Sequence, residues 1–189
     1  YLKPIPCVTL DKDYQIADET RFSVIIPFRN EAEGLSEFMQ DLAAQTARPA
    51  EILMIDHDST DSSCQIATNL AKKYQLPIRL LHAEEGPQAR SGRKTTVAGN
   101  RNYAIQEAQT DLLLFTDAGT RLHPCFFANM IGPMQEDPSL EMTGGIYYAQ
   151  SAQLTATLVY DWDTVDWNSF LPACRALAMR KALAIRAGG

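Results

Sequence analysis

One aspartate lies just beyond a predicted buried strand, a position suited to chemistry. Leu112 to Phe115 form an unbroken apolar run, and Asp117 follows after one threonine. Such a run predicts a strand buried on both faces, as at the centre of a parallel sheet. Ligands of these sheets bind beyond the carboxyl ends of the strands. Asp117 is therefore placed to meet a substrate, a metal ion or a sugar hydroxyl; the alternative is a simple turn residue.

Two more loops that follow predicted strands carry charged residues. The loop at 27–31 reads Pro-Phe-Arg-Asn-Glu, and the loop at 56–61 reads Asp-His-Asp-Ser-Thr-Asp. The carboxyl ends of parallel strands meet at one edge of a sheet, so both loops are expected near the aspartate described above. Asp56 and Asp61 also suit turns and helix caps. His57 suits a base, a metal ligand or an ordinary surface histidine.

Basic residues between 93 and 101 could meet an anion. Arg101 falls on the apolar side of a helix predicted at about 95–109, where a charge needs a partner. That partner is either a ligand phosphate or an internal carboxylate. Arg93 and Lys94 precede this helix, and they fit a solvated loop pair as well as an anion site.

An acidic and aromatic patch occupies residues 161–167. Trp162 and Trp167 could stack on the faces of an acceptor sugar, while Asp163 or Asp166 could bind its hydroxyls. The alternative is a helix with one buried tryptophan and a solvated acidic face.

Strands and helices alternate along the chain at short intervals, which is typical of βαβ units in a parallel sheet. Asn30 and Glu33 have capping-box spacing for the first helix. Strands are predicted at 22–27, 51–55, 77–82, 112–115 and 140–148, with a short strand and a helical turn at 173–185. Helices are predicted around 35–42, 61–74 and 95–109, and between 124 and 138. Residues 1–21 are predicted to form a surface leader, and residues 22–189 to form one α/β domain.

Composition narrows the function classes. The net charge of −6 argues against a nucleic-acid partner, which would need clustered basic residues. The four cysteines include no Cys-x-x-Cys pair, and no histidine lies at a ligand spacing from a cysteine, so a zinc site is not expected. No apolar run reaches the length of a membrane span, about 18 residues. The first strand–helix turn lacks the dinucleotide Gly-x-Gly-x-x-Gly, and residues 86–95 fail the spacing of a phosphate-binding P-loop.

Five segments in order resemble the family 2 glycosyltransferases, nucleotide-sugar-dependent enzymes with the GT-A fold. The matching text is Ser23–Glu31 (SVIIPFRNE), Ile55–Asp61 (IDHDSTD), Gly99–Asn102 (GNRN), Phe115–Gly119 (FTDAG) and Ala178–Gly189 (AMRKALAIRAGG). The resemblance implies a Rossmann-like three-layer sandwich with a mostly parallel central sheet.

The resemblance also implies roles for individual residues. Pro27, Arg29 and Glu31 would line the nucleoside pocket, and Asp56 would approach the base. Arg101 would face the donor near its diphosphate or ribose, with Lys94 as a further donor-side cation. Asp117 would hold the ribose or position a metal–diphosphate unit. The acceptor side would include Trp162, Asp163 and Trp167.

The sequence departs from the family pattern at two positions. His57 replaces the second aspartate of a common Asp-Asp pair, and Gly119 replaces the second carboxylate of Asp-x-Asp, the usual metal ligand. A Mn²⁺ or Mg²⁺ ion at Asp117 would then rest on one protein carboxylate, the diphosphate and water. In the metal-free alternative, Arg93, Lys94 and Arg101 neutralise the leaving group directly.

The function expected from these features is sugar transfer from a UDP- or GDP-sugar to an acceptor hydroxyl, with inversion. The resemblance places the general base beyond Gly189, so residues 22–189 are expected to bind donor but transfer poorly. The rivals are an inactive nucleotide-sugar-binding module, a sugar nucleotidyltransferase and a glycosidase. The expected acceptor is a carbohydrate or lipid-linked molecule of the cell envelope. The expected location is the cytoplasm, with peripheral association at the inner face of the membrane left open.

Overall fold

The computed structural model describes residues 13–145 and 175–188. The strands are β1 (Phe22–Phe28), β2 (Glu51–Asp56), β3 (Ile78–His82), β4 (Leu112–Phe115), β5 (Met142–Gly144) and β6 (Leu177–Arg180). The helices are α1 (Leu35–Ala43), α2 (Ser63–Tyr74), α3 (Pro87–Arg90), α4 (Val97–Glu107), α5 (Phe126–Glu136) and α6 (Lys181–Arg186), with a 3₁₀ turn at Ala83–Glu85.

The strands form one six-stranded sheet in the order β3-β2-β1-β4-β6-β5. Strands β1 to β4 run parallel to one another, and β6 runs antiparallel to both β4 and β5. The parallel strands therefore end along one shared edge, called here the carboxyl edge. This mixed sheet with helices confirms the predicted mostly parallel α/β architecture.

Side chains that alternate along the central strands divide the core into two layers. Val24 and Ile26 of β1 face the layer that holds α1, α2 and α5. Ile25 of the same strand faces the layer that holds α4. Both faces of the sheet are covered, which explains why β1 and β2 are buried at every position. The predicted three-layer sandwich is confirmed.

Two predictions about element ends need correction. The capping box at Asn30 is wrong, because α1 begins at Leu35 with Gly34 at its N-cap. Asn30 instead adopts a left-handed conformation, with a φ of 53°, and bonds to the loop after β2. The strand predicted at 140–148 corresponds to β5 in its described part, and its remainder lies outside the described residues.

The described part of the leader lies against α5. The Tyr14 amide donates to Asn129 Oδ1, and the Ala17 amide donates to Gln135 Oε1. The Tyr14 ring also lies close to Gly132, where a Cβ would collide with it. Among the described residues, no helix has both the length and the apolar character that crossing a membrane requires.

Candidate functional site

A cleft of about 220 Å³ opens at the carboxyl edge, near the ends of β1 and β4. It is lined by Pro27, Phe28, Arg29, Glu31, His57, Val97, Asp117, Ala118 and Arg175. Four of the seven predicted donor-binding residues, Pro27, Arg29, Glu31 and Asp117, thus line one cleft. The other three, Asp56, Lys94 and Arg101, are not part of its lining.

Asp117 lies between two arginines. Arg101 Nη2 is 2.5 Å from Asp117 Oδ1, and Arg175 Nε is 3.1 Å from Asp117 Oδ2. The Arg101 side chain is only 17% exposed, so its charge is held largely out of water. Of the two partners expected for Arg101, the structure supplies the internal carboxylate. Arg175 lines the cleft beside Asp117, whereas Arg101 contacts Asp117 without lining the cleft.

One of the two residues of this ion pair carries a buried polar atom without a hydrogen-bond partner. Across the described residues, four buried side-chain polar atoms lack such a partner: Asn100 Nδ2, Arg101 Nε, Thr116 Oγ1 and Arg79 Nε. The first three belong to residues next to or within the Arg101–Asp117 pair. Buried polar groups are nearly always paired in folded proteins. Of these atoms, Arg101 Nε is the one that belongs to the ion pair itself.

Gly119 and Glu31 explain the missing second carboxylate. Gly119 has a φ of +77°, a conformation that favours glycine. A Cβ at position 119 would lie 3.0 Å from Glu31 Oε2, so the Glu31 carboxylate fills the space beside this glycine. Burial raises the pKa of Glu31, and the negative charges of Asp61 and Asp117 raise it further.

The donor set on this side of the cleft fits a hard divalent cation. Mg²⁺ and Mn²⁺ prefer carboxylate oxygens. Glu31 and Asp117 both line the cleft, and Glu31 Oε2 lies beside position 119, two residues after Asp117. Both Asp117 oxygens already contact arginines, yet a carboxylate offers about four lone-pair sites. Residue 119 itself supplies no side-chain ligand.

Asp56 lies at the same edge but on the other side of β1. It ends β2, is 6% exposed, and its Oδ1 accepts a hydrogen bond from the Ser59 amide at 3.1 Å. Asp56 Oδ2 is 3.6 Å from Nδ1 of His82, the last residue of β3. Since β1 separates β2 from β4, two strand spacings of about 4.8 Å separate Asp56 from the Asp117 side of the edge. Asp56 and Asp117 therefore lie along the same edge of the sheet, with the end of β1 between them.

The thiol of Cys64 completes the surroundings of Asp56. Burial raises the pKa of Cys64 to about 11, with the charge of Asp56 and a hydrogen bond to it as further causes. The thiol is therefore protonated and hydrogen-bonded to this carboxylate at neutral pH.

Hydrogen bonds tie the loops after β1 and β2 together. The Thr60 amide donates to Asn30 Oδ1, and the Asn30 amide donates to Ser59 Oγ. Asp61 accepts hydrogen bonds from the Ala32 and Ser63 amides. The hydrogen bond from the Ser63 hydroxyl is the main cause that lowers the pKa of Asp61, and the two amide bonds lower it further. Asp61 thus links the two loops and accepts a bond from the first amide of α2, but the N-cap of this helix is Ser62, whose side chain makes no capping bond.

His57 and Lys94 lie on neighbouring loops. His57 lines the cleft, and its Nε2 is 3.1 Å from Thr95 Oγ1. This contact brings the 91–96 loop to the rim of the cleft. Lys94 is exposed on that loop and is absent from the cleft lining, so its donor-binding role stays a prediction.

Three predicted residues lie outside the described part of the chain, and two residues near the site were not predicted. Trp162, Asp163 and Trp167, predicted on the acceptor side, lie outside the described residues. Sequence reasoning missed Arg175, which reaches Asp117 from the loop before β6, a position without any local motif. It also missed His82, although His82 ends β3 just as Asp56 ends β2.

A larger groove of about 460 Å³ lies between α2 and β3. Its lining is Ala67, Thr68, Ala71, Lys72, Gln75, Leu76, Ile78 and Leu80. Lys72 is the only charged residue among them, whereas binding sites usually combine apolar walls with several convergent polar groups. The smaller cleft at the carboxyl edge is therefore the better candidate site.

Comparisons with known proteins agree with this placement. Residues 23–179 match the profile of Glycosyl transferase family 2. The Escherichia coli glycosyltransferase YibD is 34% identical over 117 residues, which cover 62% of this chain and 31% of that protein. The cholesterol galactosyltransferase of Borreliella burgdorferi is 31% identical over 102 residues, covering 54% of this chain and 26% of that protein. This chain thus spans about a third or less of the length of these two relatives.

Solved structures share the architecture at lower identity. The mannosyltransferase of Pyrobaculum calidifontis, in complex with GDP-mannose and Mn²⁺, has a TM-score of 0.67 at 18% identity, over 95% of this chain and 51% of that chain. The glucosyl-3-phosphoglycerate synthase of Mycobacterium tuberculosis, with Mn²⁺, UDP-glucose and glycerol 3-phosphate, has a TM-score of 0.63 at 18% identity, over 86% and 57%. These likenesses show the fold, which is that of GT-A glycosyltransferases. With the profile match across most of its length, the chain belongs to glycosyl transferase family 2.

Proposed function

We propose that this chain binds a nucleoside-diphosphate sugar at the carboxyl edge and that the sugar passes from it to an acceptor hydroxyl. The observation that carries the proposal is Asp117 at the cleft, held between Arg101 and the cleft-lining Arg175. Family membership makes sugar transfer the expected chemistry. The cleft supplies the charges that such a reaction needs.

The two arginines would stabilise the leaving group. When the glycosidic bond to the diphosphate breaks, negative charge develops on the departing phosphate oxygen. Fixed cations aimed at such a charge lower the barrier without reorganising during the reaction. Arg101 is held in place by Asp117, and its unpartnered Nε leaves one donor for a ligand. Lys94 on the neighbouring loop is proposed as an additional cation.

Asp56 would recognise the base. Its buried carboxylate can accept hydrogen bonds from an N–H group, and both uracil and guanine present such a group on their pairing edge. Asp56 lies two strand spacings from the side of the edge that carries Asp117, which suits a base at one end and a ribose or diphosphate at the other. Pro27, Arg29 and Glu31 line the space that the nucleoside would occupy.

A divalent ion, Mn²⁺ or Mg²⁺, is proposed at Asp117 and Glu31. When bound, it would offset charge on the diphosphate. Glu31 would supply the carboxylate that Gly119 lacks, because its Oε2 lies beside position 119. The bound ion would offset the negative charges of Asp61 and Asp117, which raise the pKa of Glu31. Ion binding would therefore favour the deprotonated form of Glu31.

The donor and the acceptor are proposed at the level of class. A UDP- or GDP-sugar is proposed because solved relatives carry GDP-mannose or UDP-glucose. A carbohydrate or lipid-linked acceptor of the cell envelope, and inversion at the anomeric carbon, are proposed from the family resemblance. An inactive donor-binding module is the second candidate, and the absence of a side-chain ligand at Gly119 favours it.

Calorimetry with UDP-glucose and GDP-mannose, each with and without Mn²⁺, tests the donor site. We expect saturable 1:1 binding of one donor class, strengthened by Mn²⁺. No binding of either donor under any of these conditions would contradict the proposal. Product analysis with a sugar acceptor mixture then separates the candidates, since donor binding without hydrolysis or transfer favours the module.

A further inference from the structure

Three side chains with different ligating atoms meet beside the proposed base site. Asp56 ends β2, Cys64 lies in the first turn of α2, and His82 ends β3. One ligand atom from each residue lies within 4.8 Å of the other two. These residues are 8 and 18 positions apart along the chain, and the βαβ crossover brings them together.

The ligand set matches a borderline-soft cation better than Mg²⁺ or Mn²⁺. Zn²⁺ binds thiolate, imidazole and carboxylate at about 2.0–2.3 Å, so tetrahedral ligand atoms lie about 3.5 Å apart. His82 Nδ1 and Asp56 Oδ2 are 3.6 Å apart, close to that spacing. A thiolate ligand disfavours the hard oxygen-seeking cations.

The cluster is both anchored and reachable. Asp56 is buried and fixed by the Ser59 amide. The His82 side chain is 39% exposed, so a cation can approach it from solvent. Three protein ligands leave a fourth position for water or another donor, the arrangement of an open zinc site.

We propose that Asp56, Cys64 and His82 form a binding site for a thiophilic divalent cation such as Zn²⁺, separate from the Mn²⁺ or Mg²⁺ position at Asp117. On binding, Zn²⁺ displaces the thiol proton of Cys64, and that proton leaves to solvent. The cation coordinates the Asp56 carboxylate, which the proposed function assigns to recognition of the nucleobase. Zn²⁺ and donor would therefore compete, a consequence that rests on the proposed function, whereas Zn²⁺ binding itself does not.

The direct test uses a protein whose only thiol is Cys64, made by changing Cys7, Cys125 and Cys174 to Ser. Titration with Co²⁺ reports a thiolate–metal charge-transfer band, and calorimetry with Zn²⁺ reports affinity and stoichiometry. We expect 1:1 binding with the charge-transfer band. His82→Asn should weaken Zn²⁺ binding about tenfold or more, at least as much as the loss of an outer-sphere partner costs. Cys64→Ser should abolish the band.

Each outcome decides the proposal. Absence of the band in the Cys64-only protein, or unchanged Zn²⁺ affinity in folded His82→Asn, overturns it. Circular dichroism verifies folding, and His82→Asn keeps the test valid if Cys64→Ser does not fold. If Zn²⁺ binds as expected but does not compete with a donor that binds, the metal site stands and the placement of the base at Asp56 is wrong.

Discussion

The two ends of the central sheet both pair a carboxylate with an arginine, but they differ in how the surrounding polar atoms are satisfied. At the amino end, Glu51 begins β2 and accepts bonds from the Ser23 hydroxyl at 2.7 Å and the Gln109 amide at 2.6 Å. Arg79 adds an ion pair at 3.4 Å. At the carboxyl end, Asp117 faces a cleft, and the Nε of its partner Arg101 is buried without a hydrogen-bond partner.

The difference separates a stabilising network from a binding site. Glu51 has its partners within the protein, so its bonds contribute to folding. The groups around Asp117 have unused bonding capacity, so a ligand can gain from them. Arg79 Nε is the exception at the amino end, because it too is buried without a partner.

The largest expected effect is on stability at the amino end. Glu51→Ala leaves the Gln109 amide without its acceptor and removes one of the two carboxylates paired with Arg79, the other being Glu107 at 3.2 Å. The Ser23 hydroxyl loses one partner and keeps Thr110. We expect a loss of about 2 kcal/mol in the free energy of unfolding, measured by urea denaturation. Donor affinity of the folded fraction should not change. A drop in donor affinity with unchanged stability would reverse the roles of the two ends.

The next effect is on donor binding at the carboxyl end. Asp117→Asn removes the charge that fixes Arg101 and Arg175, and we expect calorimetry to show a 10- to 100-fold loss of donor affinity, about the value of a bond to a charged group. Asp41→Asn is the matched control, because Asp41 also pairs with an arginine, Arg121 Nε, at 2.7 Å. Equal losses in the two variants would refute a special role for Asp117.

Lysine variants of Arg101 and Arg79 test whether a buried Nε without a partner marks the ligand-binding end of the sheet. Arg101→Lys and Arg79→Lys each keep a positive charge and remove a buried Nε that has no partner. If Arg101 Nε serves the ligand, donor affinity should fall about tenfold in Arg101→Lys, the effect of one charge-assisted bond. Arg79→Lys should leave donor affinity unchanged. Similar behaviour of the two variants would show that an unpartnered Nε does not mark the binding end.

The smallest expected effect is a pH-dependent gain in stability at Glu31. Burial first, then Asp61 and Asp117, raise its pKa above the usual 4.5, so ionised Glu31 opposes folding. Glu31→Gln should therefore unfold at a slightly higher temperature at pH 7, by about 0.5 kcal/mol in stability. The gain should be complete above the raised pKa and vanish as the pH falls below 4.5.

The control and the second readout for this variant follow from its surroundings. Glu33→Gln, at an exposed position two residues away, should show no such pH-dependent gain. Mn²⁺ binding should weaken severalfold in Glu31→Gln if the proposed ion site is correct. A variant that is less stable than the parent protein at pH 7 would contradict the assigned repulsion.

Local patterns were enough to predict the sheet and much of the site. Apolar runs located β1 to β4, and the rule on strand ends placed Arg29, Glu31 and Asp117 at one cleft. Long-range packing decided the rest. Arg175 reaches Asp117 across 58 positions of sequence, and the filling of the space beside Gly119 by Glu31 depends on how two loops meet. The Asn30 capping box failed because bonds to the loop after β2 took its side chain.

Amide hydrogen exchange with and without a saturating nucleoside diphosphate and Mn²⁺ tests the central claim most directly. The account predicts slower exchange in the loops at 27–31, 56–61 and 116–120. It predicts no change at the amino end, around Glu51 and Gln109, or in the groove between α2 and β3. Protection confined to that groove or to the amino end would contradict a nucleotide site at the carboxyl edge.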